Sequence, residues 1–318
     1  MPTTRDQALL VRAATLYYLE GKSQAEVAAE IGVSRSNVSR VLAAARKHGI
    51  VDIRINDPFG RATEMEHQLE ERFDLAGCRV APSSAQGDAL SRVGELGATW
   101  LVENLPESGT ISLSWGSSVQ AVVDSVVANP THSSLEILPL VGGLSIVDSA
   151  RDGNILVRSL AMTLGAKHRR LHAPAVVETR ETRDAFLKEP SISTVLAAAG
   201  DSQIAIVGIG TVGYGASSAI LDSMHLTAKE MRQFRESGAV GDCCTRYFDS
   251  KGKVVGLPAS DRVVSIDLPS LRKVPAVVGV AAGAHKVAGV HGALIGKLID
   301  VLIVDSSLAQ ALLKFPQS

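Results

Sequence analysis

In SLSWGSSVQAVV, residues 112–123, an apolar strand runs into Trp115, Gly116, Ser117 and Ser118 and then into a helix. Backbone amides, two hydroxyls and a helix N-terminus meet there, an arrangement that cradles an oxyanion such as phosphate. A Gly-Ser turn after a strand also serves as ordinary loop chemistry, so these residues alone leave both readings open. In LPLVGG a second strand ends on Gly142 and Gly143. A backbone without side chains there admits a ligand closely, and it equally makes a tight turn.

A third stretch, SQAEVAAEIGVSRSNVSRVL at 23–42, carries different chemistry. Ser23 followed by Glu26 is a capping box, which starts a helix by satisfying two of its orphan amides. Val27 and Ile31 point one way, Ala28 is small enough to admit a second helix, and Gly32 suits a sharp turn. Ser34 caps the next helix, whose buried face is Val38, Val41 and Leu42. With Ser34 at its start, that helix exposes Arg35, Ser36, Asn37, Ser39 and Arg40 in its first two turns. These side chains donate to base edges and phosphates from the N-terminal part of a helix, as helix-turn-helix docking on duplex DNA requires. Arg46, Lys47 and Arg54 lie further on, where they suit phosphates or a solvated face.

The elements that must carry these groups are legible in the periodicity. Residues 6–20 place Leu9, Leu10, Ala13, Leu16, Tyr17 and Leu19 at mostly helical spacing, ending near Gly21. VDIRI at 51–55 alternates as a short strand, and DPFG at 57–60 supplies a boundary. Met65, Leu69 and Phe73 fall on one face of a connecting helix, and the stripe meets either the body or a second subunit. From Cys78 onward the runs CRVAP, TISLSWG, SLEILPLVGG, RRLHAP, SQIAIVGIG, AVVGVAAG and VLIVD alternate with helical stretches. That alternation predicts an α/β body with a mostly parallel, helix-covered, Rossmann-like sheet. In such sheets the ligand crevice lies beyond the carboxyl ends of the strands. The expected organisation is a helical head over 1–56, a linker and connecting helix over 57–74 and a ligand-binding body over 75–318.

Composition narrows the classes. At 318 residues, 46% apolar and only 4% aromatic, the chain suits aliphatic packing between helices and sheet rather than a base-stacking surface. Net charge is −1, but residues 1–56 hold eight basic and five acidic side chains against 24 and 28 in the rest. A basic head on a mildly acidic body fits a small DNA module, because phosphate binding needs local rather than global positive charge. Cys78, Cys243 and Cys244 lack zinc-ligand spacing, and the eight histidines do not cluster, so neither metal nor cofactor is expected. The absence of a signal-peptide pattern or a long apolar run predicts a cytoplasmic protein with no membrane partner.

The head ending in ARKHGIVDIRI, followed in order by SLSWGSSVQAVV, VGIGTVGYG and GVAAGAHKVAGVHGALIGKLIDVLIVDSSLAQALL, resembles the SorC/DeoR-type family of sugar-responsive transcription regulators over nearly the whole chain. The resemblance implies a DNA operator, a sugar, sugar-phosphate or polyol effector, and assembly as a homodimer or homotetramer. It also implies a body similar to sugar-phosphate enzymes of the glucosamine-6-phosphate deaminase type. On this resemblance Lys286 corresponds to a phosphate-contacting lysine, Asp242 to an acidic position that accepts sugar hydroxyls, and Asn154 to a further polar contact. A surface lysine and a turn-capping aspartate remain the plainer alternatives. Some relatives carry an Arg before the glycine pair. Val141 stands here, which argues against a second phosphate on the effector.

A body similar to enzymes raises catalysis as the alternative function. In the deaminase-type enzymes the loop after GIG continues into Asp-Gly-His, whereas here Gly210 is followed by Thr211, Val212, Gly213 and Tyr214. An isopropyl group cannot shuttle a proton, so this loop shapes a cavity without driving that reaction. His285 and His291 stand on an apolar helical stretch where a histidine is usually structural. No catalytic residue is assigned, and binding without turnover is expected.

Overall fold

A computed structural model gives the fold; the residues it describes are 4–47, 49–51, 62–82, 88–144 and 152–316. The chain divides into two units, residues 1–57 and 58–318. Residues 52–55 of the VDIRI strand, the DPFG boundary and Arg54 lie outside the described residues, as does the side chain of Lys47. Among the described residues no helix is long and apolar enough to cross a membrane.

The first unit holds α1 (Thr4–Ala14), continued by a π-helical turn Thr15–Leu19, then α2 (Gln24–Ile31) and α3 (Arg35–Lys47). The capping box forms as the spacing predicts: the Ser23 hydroxyl accepts from the Glu26 amide, and Glu26 accepts from the Ser23 amide at 2.8 Å. Gly32 ends α2 in the left-handed region, φ 69°, where a side chain would be strained. Leu10, Ala13, Leu16, Val27, Ala28, Val38, Val41, Leu42 and Ala45 close a small core.

The second unit is built on strands β1 (Gly77–Ala81), β2 (Gly109–Leu113), β3 (Leu135–Pro139), β4 (Lys167–His168), β5 (Ile204–Thr211), β6 (Gly241–Cys243), β7 (Arg246–Phe248), β8 (Ala276–Ala281) and β9 (Val301–Asp305). Seven run parallel in the order β1-β9-β8-β5-β2-β3-β4. The hairpin β6–β7 adds antiparallel at the end of β5, pairing Gly210 with Asp242. Helices α4 (Thr63–Phe73), α5 (Ala89–Glu103), α6 (Ser117–Ser125), α7 (Gly153–Leu164), α8 (Arg180–Lys188), α9 (Pro190–Gly200), α10 (Gly215–Ser223), α11 (Ala228–Glu236), α12 (Leu268–Leu271), α13 (Val287–Ile295) and α14 (Ser306–Lys314) complete it. The central strands read as continuous apolar runs because both faces are covered. In β5, Ala205, Val207 and Ile209 enter one core while Ile204 and Ile206 enter the other; Leu302 and Val304 against Val301 and Ile303 do the same in β9.

The stripe on α4 packs into the body: Leu69 and Phe73 are buried in its larger core, with Met65 against them. The helix also closes the sheet edge. Glu66 accepts from the Val80 amide at 2.8 Å and Glu70 from the Cys78 amide at 2.7 Å, so outer donors of β1 are not left as a template for another strand. Arg72 donates to the carbonyls of Leu313 and Phe315, and Lys297 to that of Phe73, tying both sides of α4 down.

One expected strand is not a strand. The β4 ladder stops at His168, just before RRLHAP; within that run the Arg169 amide still reaches the Ile137 carbonyl of β3, and Pro174 forms only an isolated bridge with Gly143. Asn154 takes over: its Oδ1 accepts from the Leu171 amide at 2.9 Å and its Nδ2 donates to the Leu171 carbonyl at 3.3 Å. A side-chain amide has the donor and acceptor of a peptide unit, so it satisfies the Leu171 backbone without a neighbouring strand. Leu69→Ala should lower body stability by about 2–5 kcal/mol, because α4 is held by a fully buried leucine; urea unfolding of the full chain measures it.

Candidate functional site

β2 leads onward to β3 on one side, whereas β5 leads to β8 and β9 on the other, so the carboxyl ends of β2 and β5 form the topological switch point. A cavity of about 210 Å³ opens there. Its floor follows from local sequence. Past Leu113, Ser114 is buried and its Oγ accepts from the Gly208 amide at 3.0 Å, locking β2 to β5. Gly116 then turns the chain with φ 103°, ψ 170°, which an L side chain rarely adopts, and α6 starts at Ser117 with no side chain capping it. Tight packing holds α6 there: a Cβ on Gly94 of α5 would stand 2.4 Å from the Ala121 carbonyl oxygen.

Opposite this N-terminus, a short 3-10 turn Ala284–Lys286 follows β8. Asp305, at the end of β9, accepts from the Gly283 amide at 2.6 Å and from the Ser307 amide at 3.0 Å, so the last strand fixes the turn carrying Lys286. Lys286 Nζ reaches to 3.5 Å from Ser118 Oγ. Burial pulls this ammonium below its ordinary pKa, while Asp242 and Asp305 pull the other way. Asp242 is buried and accepts from Ser217 Oγ at 2.5 Å. Burial raises its pKa against the Ser217 hydrogen bond and the nearby Lys286 charge.

The cavity is therefore bipolar. Ser117, Ser118, Lys286 and the start of α6 bring donors and positive potential to its lining, and Asp242 with Ser217 brings a carboxylate and a hydroxyl, with Lys286 and Asp242 each stabilising the charge of the other. Tyr214 and His285 stand together on its lining, ring centres 5.4 Å apart, and both are exposed. Trp115 completes the wall, donating from Nε1 to Thr245 Oγ1 at 3.3 Å. Among the described residues no cluster of His, Cys, Asp and Glu suits a metal ion.

Gly116, Ser117, Ser118, Gly210, Asp242 and Lys286 all line this one cavity. Gly142, Gly143 and Asn154 do not line it. A Cβ on Gly142 would lie 2.6 Å from the Ala173 carbonyl oxygen, so chain packing already requires glycine there. Gly143 sits beside Asp152 and Asn154, and Asn154 holds Leu171 as described. Gly210 has a local reason of its own. A Cβ there would fall 2.0 Å from Asp242 Oδ1 and 2.1 Å from Ser217 Oγ, so its absence makes room for that hydrogen bond. Sequence reasoning missed Ser217, Cys244 and His285 on the lining. Of these, His285 had a signal in its place beside Lys286, whereas Ser217 and Cys244 reach the cavity only through the β5–α10 turn and the β6–β7 hairpin.

In the head, Arg35, Ser36, Asn37, Ser39 and Arg40 form the exposed face of α3, opposite buried Val38, Val41 and Leu42. Ser34 Oγ accepts from the Asn37 amide at 3.3 Å, so this hydroxyl serves the cap. Arg46 is exposed further along the helix.

A helix-turn-helix head and an α/β body with a bipolar cavity at its switch point together have the plan of a ligand-responsive transcription regulator. The family model described as "Putative sugar-binding domain" matches residues 57–314. The chain is 31% identical to the sorbitol operon regulator of Klebsiella pneumoniae over 99% of its own length and all of that protein. It is 29% identical to the deoxyribonucleoside regulator of Bacillus subtilis, covering 96% of this chain and 97% of that one. The full-length crystal structure of the Klebsiella regulator SorC superposes with a TM-score of 0.75 over 98% of this chain and 100% of that chain, at 29% identity. The chain belongs to this SorC/DeoR-type family of sugar-binding transcription regulators.

Two outcomes follow from the cavity. Gly210→Ala should break the Ser217–Asp242 pair and destabilise the body by about 1–3 kcal/mol, read by urea unfolding, because the added methyl meets two polar side chains in a packed site. The raised pKa of Asp242 means that the folded state holds this proton more tightly than the unfolded state. Its contribution is present below the ordinary value of 3.8 and is lost as pH rises through the raised folded value. Asp242→Asn should therefore gain stability relative to the parent as pH climbs from 3.8, in melting temperatures taken across that range.

Proposed function

We propose that this protein is a cytoplasmic transcription regulator that grips a double-stranded operator through α3 and is controlled by a phosphorylated carbohydrate in the switch-point cavity. The observation that carries this reading is that both polarities line one cavity. Lys286 and the start of α6 suit a phosphate, while Asp242 and Ser217, on the lining of the same cavity, suit hydroxyl groups. A simple anion would use only the first set of groups, and a free polyol only the second.

The proposed effector is bound without being turned over. Val212 and Tyr214 follow Gly210 where the similar enzymes have their Asp and His, and an apolar side chain provides no proton relay. In the head, Arg35, Ser36, Asn37, Ser39 and Arg40 read base edges and phosphates, with Ser34 holding the helix start. Two or four copies would pair such helices on a repeated operator. To alter occupancy the effector must prefer one arrangement of the assembly, with a typical coupling of about 1–3 kcal/mol.

Lys286→Ala should weaken a hexose phosphate by about tenfold or more, since a hydrogen bond to a charged group contributes about 1.5–3 kcal/mol, and should affect the matching free sugar less. Ligand-induced melting shifts measure both, and equal losses would remove phosphate from the proposal. Arg35→Ala or Asn37→Ala should reduce discrimination between operator and unrelated duplex in fluorescence anisotropy. Unchanged discrimination in both would take these residues out of base reading.

A further inference from the structure

Arg246 opens β7 and is buried, 8% exposed, yet no carboxylate lies within ion-pair distance of it among the described residues. Its Nε donates to Ser265 Oγ at 3.0 Å, Nη1 to the Ser260 carbonyl at 2.9 Å and Nη2 to the Ser265 carbonyl at 3.1 Å. A guanidinium has five N–H groups, so one on each Nη has no acceptor. Buried charges are ordinarily paired, because removing an ion from water without a counter-ion is costly. Burial lowers the pKa of this guanidinium and the like charge of Arg183 lowers it further, while the more distant charges of Asp267 and Asp261 pull it back up.

Arg246 faces a second cavity, of about 440 Å³, that shares no lining residue with the first. Arg183 and Lys273 line it with Ser193, Ser265 and Ser270. Arg183 is largely buried, and its Nε has no hydrogen-bond partner despite lying 2.8 Å from Asp184 Oδ1; its Nη2 is 3.6 Å from Asp261. Two carboxylates also line the cavity, Asp201 and Asp267, and Asp267 Oδ1 accepts from the Ser270 amide at the start of α12. Three cations and two carboxylates thus line this cavity; Asp184 and Asp261 flank Arg183, and Arg246 has no carboxylate within ion-pair distance among the described residues.

We propose that this second cavity, between α8–α9 and the segment Ser265–Lys273, binds a small metabolite through an oxyanion, with Arg246 as its buried anchor and Arg183 and Lys273 as flanking cations. The planar guanidinium matches carboxylate and phosphate oxygens alike, and the cavity has room for more than the anion itself. Leu187, Leu196 and Ile266 supply an apolar wall for the remainder of the ligand. The site is independent of the effector reading above.

The test titrates the full-length protein with inorganic phosphate and, separately, with malonate, at constant ionic strength. Binding is followed by melting temperature and equilibrium dialysis, in a Lys286→Ala background that weakens anion binding at the first cavity. At least one anion should bind, and its preference over the other identifies the class. Adding Arg183→Gln and Lys273→Gln, both outside the core, should weaken it about tenfold or more. Arg246→Gln should abolish it, and since that buried change also threatens folding, the double variant decides. Failure of both anions to bind in the Lys286→Ala protein, or binding unchanged by Arg183→Gln with Lys273→Gln, overturns the proposal.

Discussion

Three stretches of backbone meet at Gly210, Gly241 and Gly289, and the switch-point cavity depends on that meeting. A Cβ on Gly241 would lie 2.7 Å from the Gly210 carbonyl oxygen, and one on Gly289 only 2.3 Å from it. Side chains would force β5, the β6–β7 hairpin and α13 apart. With glycine at all three positions the hairpin lies flat on the end of β5, and Asp242 and Lys286 arrive at one cavity from distant parts of the sequence. The cost is conformational entropy in the unfolded chain, which glycine raises more than any other residue. The continuous aliphatic burial on both faces of the sheet offsets it.

Electrostatics at the cavity follow from the same packing. Asp242 and Lys286 are both held away from water, and burial works against the charged form of each, upward for the acid and downward for the base. Each also stabilises the charge of the other. A ligand that brought a phosphate to Lys286 and hydroxyls to Asp242 would take over part of the solvation both groups lost. Burial of this kind is a functional-site hallmark, and it coincides here with the switch point to which topology alone assigns ligands.

Much of this was legible in the residues. Six of the seven aliphatic runs are parallel strands, because sheets covered on both faces need unbroken apolar sequence and little else has it. The capping box and Gly32 place the two helices of the head motif, since capping chemistry is local. RRLHAP forms no strand because its middle residue, Leu171, is held by the Asn154 side chain across 17 residues, a contact no periodicity encodes, leaving only an isolated bridge at Pro174. The β6–β7 hairpin was not foreseen either. Its GDCCTRYF sequence lacks alternation, since all six ladder residues are buried, and the turn is made by Cys244 and Thr245 in the left-handed region rather than by glycine. Gly142, Gly143 and Gly210 show a further limit: a glycine marks a close approach without saying whether a ligand or the chain itself is approaching.

The strand order carries a consequence for biosynthesis. β9 lies between the edge strand β1 and β8, so the last of these strands in the sequence joins to the sheet a first strand made over two hundred residues earlier. Until it arrives, β1 has no ladder partner, the Gly283 amide lacks Asp305, and the Lys286 turn is unanchored. The amino-terminal helices need none of this, because their core is complete within residues 10–45. During translation a nascent polypeptide would thus own a finished head well before it owns a ligand pocket, and premature termination would release the former without the latter.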